Sequence, residues 1–169
     1  NSACTGFGSL ANGVASTAIL SGNIYATYWC GSNAIGVAQI RESDGVVLNT
    51  WTYSGPIDAR AIGTDGTDLI IGAYNKVLKM TQTGTFTVLA STSGDVTGVV
   101  VSGSTIWFTQ SGSTGLGKVN TDGTGLSQLS CGCLGGVFLA LQGSDVWFTS
   151  NQDHTLIKYD VRTITSYST

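Results

Sequence analysis

Three observations predict an all-β fold for this chain. A pattern of four short strands is written four times, turn residues stand at the strand junctions, and no stretch carries a helical pattern. The register is marked by the phrase "GSTIWF" at 103–108, which returns as "GSDVWF" at 143–148. Aligned on the first apolar residue after a Gly-polar turn, the copies begin at Ile24, Leu69, Ile106 and Val146, at spacings of 45, 37 and 40 residues.

A short apolar strand precedes each of these: "TAIL" at 17–20, "ARAIG" at 59–63, "TGVVV" at 97–101 and "VFLAL" at 137–141. After a polar loop comes a third strand: "AIGVAQI" at 34–40, "NKVLKM" at 75–80, "GLGKV" at 115–119 and "TLIKYD" at 155–160. A turn leads to a fourth: "VVLNTWTY" at 46–53, "TFTVLA" at 85–90, "GLSQLS" at 125–130 and "TITSYS" at 163–168. These segments are β because they are short, rich in Val, Ile, Thr and aromatics, and bounded by Gly, Asn, Asp and Ser. "SDG" at 43–45, "TDG" at 64–66 and 121–123, and "QTG" at 82–84 supply the αL-tolerant residues of tight turns.

One four-stranded antiparallel sheet cannot cover both of its faces. Radial packing of successive sheets buries the faces and leaves short, protected edges, so four units of this size predict a β-propeller of four blades with four antiparallel strands each. The expected blades span about 14–56, 57–95, 96–135 and 136–169, with 1–13 as an N-terminal arm or cap. The alternative closure is half of a larger dimeric propeller. The "VVV" and "LAL" strands are expected innermost, packed on both faces.

At 169 residues the chain suits one domain. Charged residues make up 10%, Gly contributes 24, and the net charge is −3, so the surface is built from hydroxyls, amides and backbone. Seven scattered basic residues form no stripe for a phosphate backbone, which excludes nucleic acid as the expected partner. No apolar run reaches the ~20 residues of a membrane span. Cys4, Cys30, Cys131 and Cys133 form an even set without metal spacing, expected as disulfides in a secreted protein. A Cys131–Cys133 bridge would be strained, so each is expected to pair with Cys4 or Cys30. No Asn-x-Ser/Thr acceptor occurs.

The units "TIWFTQSGSTGLGKVNTDGT" and "DVWFTSNQDHTLIKYD" resemble blades of the streptogramin lyase-like and NHL-type propellers, in their Trp-Phe-Thr strand, polar turn, Gly-Lys-Val strand and Asp-Gly turn. The resemblance implies the scaffold alone. Lyases of that family use a metal with histidine and glutamate, whereas this chain has a single His154 and a single Glu42.

No catalytic residue, metal site or cofactor is expected. His154 beside Asp153 stands in a loop where neighbours point apart. The Asp65 to Asp68 turn offers too few oxygens for calcium. Trp107, Phe108, Trp147 and Phe148 recur at equivalent positions and are expected to pack between blades. Propeller topology places the second-to-third loops and the fourth-to-first connectors on one rim. The candidate ligand-binding residues there are Tyr28, Trp29, Asn33, Tyr74, Asn75, Gln110, Asn151, Gln152, Asp153 and His154.

A flat aromatic beside amides and a carboxylate suits stacking on a sugar and bonding its hydroxyls. The expectation is a secreted, non-catalytic, lectin-like binding module for carbohydrate or an extracellular protein surface, with a homo-oligomer as one arrangement. The alternative is a self-assembling extracellular coat or filament subunit, and an enzyme of lyase type ranks below both.

Overall fold

The computed structural model describes residues 13–29, 34–55, 59–112, 115–129, 135–160 and 164–168. Within them the first sheet holds β1 (Val14–Leu20), β2 (Asn23–Trp29), β3 (Ala34–Arg41) and β4 (Val47–Ser54). The second holds β5 (Ala61–Thr64), β6 (Leu69–Ala73), β7 (Lys76–Met80) and β8 (Phe86–Ser91). The third holds β9 (Val96–Ser102), β10 (Thr105–Gln110), β11 (Leu116–Asn120) and β12 (Ser127–Leu129). The fourth holds β13 (Gly136–Gln142), β14 (Asp145–Ser150), β15 (Thr155–Tyr159) and β16 (Ile164–Ser168).

Each sheet is an antiparallel meander of strands consecutive in sequence, and no helix occurs among the described residues. The repeated Gly-Ser of the third and fourth units is a two-residue hairpin turn: Ser102 pairs with Thr105, and Gln142 with Asp145. Its first position is left-handed, φ 57° at Gly103 and 61° at Gly143, a conformation that glycine alone adopts without strain.

Strand alternation gives each sheet two faces, here called front and back. Ile24, Leu69, Ile106 and Val146 lie on the fronts, and Tyr25, Ile70, Trp107 and Trp147 on the backs. The back of each of the first three sheets packs on the front of the next. Tyr25, Ile35 and Val37 meet Leu69, Ile71, Leu78 and Met80. Ile70 and Val77 meet Ile106, Phe108 and Val119. Leu116, with Trp107 and Leu129 at its side, meets Val146, Phe148 and Ile157.

Aromatic contacts finish these layers. Trp51 stacks on Tyr25 at 6.4 Å, Tyr53 meets Phe86 at 5.3 Å, and Trp107 meets Tyr159 at 5.6 Å. Phe108 and Phe148 are fully buried, so at these positions the Trp-Phe pairs serve inter-sheet packing.

The first strands β1, β5, β9 and β13 follow one another side by side in chain order. No comparable contact joins β13 back to β1 among the described residues. That bears on the expected innermost strands. Val99, Val100 and Val101 are half-buried, and along β13 burial alternates, with Phe138 and Ala140 exposed. The expectation that "LAL" packs on both faces is therefore corrected: along β13 Leu139 and Leu141 are half-buried on the front, while Ala140 on the back is exposed.

A candidate ligand-binding mouth

In the second, third and fourth sheets the second-to-third segments and the described connectors beside them share one rim because backbone hydrogen bonds join them. Arg60 N donates to Gly72 O at 3.1 Å, Thr92 N to Asn75 O at 2.9 Å, Ser111 N to Asp95 O at 2.8 Å, and Asn151 N to Gly135 O at 3.2 Å. A cavity of about 380 Å³ opens on this rim. Ala15, Ala59, Thr97 and Val137 bring a first strand, or the connector leading into it, from every sheet to its wall.

Its polar groups are Arg60, Thr97, Ser111, Asn151 and Gln152. Arg60 Nη2 stands 3.7 Å from Asp95 Oδ2, a partly exposed pair that orients the guanidinium more than it stabilises the fold. Thr97 Oγ1 donates to Gly136 O at 2.5 Å and Thr109 Oγ1 to Val137 O at 3.1 Å, fixing the third sheet against the start of β13. Asn151 lies against Gly135, which has φ 68° and leaves no room for a Cβ beside the amide. Phe138 stands at the mouth with 73% of its surface open, an apolar face beside convergent polar groups.

Of the ten sequence-predicted residues, Asn151 and Gln152 line this mouth. Trp29 and Tyr74 are exposed, at 51% and 46%. Trp29 ends β2 and Tyr74 sits in the β6–β7 turn, so both belong to the second-to-third segments of the rim. Asn75 is left-handed, φ 47°, and its carbonyl serves the rim bond from Thr92. Asp153 and His154 belong to the turn after β14: Ser150 Oγ donates to Asp153 Oδ2 at 2.7 Å, and His154 is left-handed, φ 53°. The chain order Asn-Gln-Asp-His thus divides into two cavity residues and two that shape the turn.

Two expectations are corrected. Tyr28 is buried, its ring over Gly36 on the front of the first sheet, and burial pushes its phenol pKa upward. Gln110 is buried too: its Nε2 donates to Gln128 Oε1 at 3.1 Å, and Gln128 Oε1 also accepts from Ser93 Oγ at 2.5 Å. Both side chains therefore lie beneath the rim. Asn33, Cys4, Cys30, Cys131 and Cys133 lie outside the described residues.

Arg60, Thr97 and Phe138 are missing from the sequence-predicted set. Phe138 reads as core in "VFLAL", and Arg60 and Thr97 stand in segments read as strand, so apolar pattern gave no signal for them. Among the described residues no group of three or more His, Cys, Asp and Glu is placed to hold a metal. The Asp65 carboxylate instead accepts from Thr67 N and Asp68 N and faces Lys79 Nζ at 3.7 Å, a turn built from its own parts.

No protein-family model matches the chain, and no curated protein matches it. Solved structures do match in fold. The computationally designed protein Ika4 superposes with a TM-score of 0.65 at 13% identity, over 94% of this chain and 92% of that one. The glutaminyl cyclase of Myxococcus xanthus gives 0.61 at 14% identity, over 89% and 66%. The hydrazine synthase of Kuenenia stuttgartiensis gives 0.73 at 10% identity, over 92% of this chain and 49% of that one, so the chain spans about half the length of that neighbour. What is shared is a propeller-like scaffold. Identities this low carry the fold and no chemistry.

Proposed function

We propose that this chain is a secreted, non-catalytic β-propeller of four blades, of streptogramin lyase-like and NHL blade type, that binds carbohydrate at the rim cavity. The observation that carries the reading is the exposed Phe138 ring beside the Asn151 and Gln152 amides, the Thr97 hydroxyl and the Arg60 guanidinium. A pyranose has an apolar C–H face, which suits an aromatic ring, and a rim of hydroxyls, which suits amides and a guanidinium. The cavity lies in the volume range of small-ligand sites.

Trp29 and Tyr74, exposed on other loops of the same rim, supply further aromatic faces for a longer or branched glycan. The acidic groups nearest the mouth support a non-catalytic role, since Asp95 faces Arg60 and Asp153 accepts from Ser150. Four cysteines in a low-charge chain support an oxidising, extracellular setting.

The test is a glycan array followed by calorimetric titration of the best sugar. Phe138→Ala and Asn151→Ala should each weaken that sugar about tenfold or more, a loss of ~1.4 kcal/mol or above. No response across neutral and acidic glycans would remove the carbohydrate reading.

A further inference from the structure

The polar lining of the mouth is rich in donors. Arg60 is the one charged side chain among the described residues that line it, and 46% of that side chain is open. A guanidinium is a planar fork of N–H donors with no acceptor. Ser111 lines the mouth as well. Its Oγ accepts from Asp95 N at 3.0 Å, which leaves the hydroxyl proton to be donated elsewhere.

Asp95, immediately before β9, ties these two donors to each other. Its Oδ2 faces Arg60 Nη2 at 3.7 Å, and its backbone carbonyl accepts from Ser111 N at 2.8 Å. Asp95 is not itself among the described lining residues, so the cavity meets the guanidinium and the hydroxyl but not the group that anchors them. The Thr97 hydroxyl gives its proton to Gly136 O. Asn151 and Gln152 add amide N–H donors beside their carbonyl oxygens.

A sugar hydroxyl both donates and accepts, so amides alone can serve it. A carboxylate only accepts, and its two oxygens match a guanidinium fork with a hydroxyl donor beside it. We infer that the mouth takes an acidic sugar, with the carboxylate on Arg60 and Ser111 and the ring against Phe138. The inference rests on the carbohydrate reading and narrows it to uronates and sialates, which share a carboxylate carried on a pyranose ring.

The experiment is calorimetric titration of the full chain, at low and at moderate salt, with galacturonate, glucuronate and N-acetylneuraminate. Each acid is compared with its own methyl ester, and galactose and glucose serve as neutral sugars. The ester keeps the ring and removes the charge, so this comparison needs no variant. At least one acid should bind about tenfold more tightly than its ester, and the margin should shrink as salt rises. The acid that shows the margin separates a uronate from a sialate. Arg60→Gln, with its fold checked by circular dichroism, should abolish the margin and leave affinity for neutral sugars within about twofold of the parent. Ser111→Ala should reduce the margin in part.

Neutral sugars that bind as tightly as the acids overturn the inference and leave the carbohydrate reading standing. An acid margin that survives Arg60→Gln also overturns it, because the carboxylate then sits elsewhere. Failure of every acid, ester and neutral sugar to bind removes the carbohydrate reading and the inference with it.

Discussion

The ring of Phe108 lies against Gly117, its directly opposite partner across the β10–β11 ladder, so that a Cβ at position 117 would overlap the ring. Tyr28 lies over Gly36 in the same relationship on the first sheet. In each pair glycine opens the space that an aromatic then fills, covering the bare backbone. Gly117→Ala should therefore destabilise the fold by ~1–3 kcal/mol through overpacking, and Gly36→Ala in the same direction. Urea unfolding with an unchanged m-value checks both.

Tyr25 is completely buried on the back of the first sheet, and its hydroxyl has no hydrogen-bond partner among the described residues. Burial raises its pKa. Tyr25→Phe keeps the stacking on Trp51 and removes a desolvated hydroxyl, so stability should rise by ~1 kcal/mol. An unchanged or lower melting temperature would show that the hydroxyl is satisfied in solution.

Gln128→Ala separates framework from site. It removes the acceptor shared by Gln110 Nε2 and Ser93 Oγ, at 3.1 and 2.5 Å, and should cost ~1–3 kcal/mol of stability. The affinity for sugar at the Phe138 mouth should stay unchanged in calorimetry, in contrast to Phe138→Ala.

Asp122 gives a pH signature. The Thr124 hydroxyl donates to Asp122 Oδ1 at 2.7 Å and the Thr124 N–H at 2.9 Å, and these bonds hold the carboxyl below the usual carboxylate range. A folded pKa below the unfolded one adds stability that is present above the unfolded value and lost as pH falls through the folded value. In Thr124→Val the hydroxyl bond disappears, so the Asp122 titration followed by NMR should move upward. No movement would mean that the backbone bond alone sets it.

Much of the fold was legible in the residues. The Gly-Ser turns at Gly103 and Gly143, the alternation around Ile106 and Val146, and the shared rim of loops and connectors all follow from local turn geometry and strand period. The site was less legible. Asn151 and Gln152 were readable as polar loop residues, but Phe138 carries the same apolar signal as its half-buried neighbour Leu139. Tyr28 carries the same aromatic signal as exposed Trp29, one residue along the strand and pointing to the opposite face.

The sequence by itself determined the strands, their turns and the fourfold unit, because those depend on residues a few positions apart. Tertiary structure decided which face of each sheet is covered. It buried Tyr28 and Gln110 and gathered Arg60, Thr97 and Phe138 from three units around one mouth. A strand's period says which residues share a face, while the occupant of that face is set by another sheet distant in the chain.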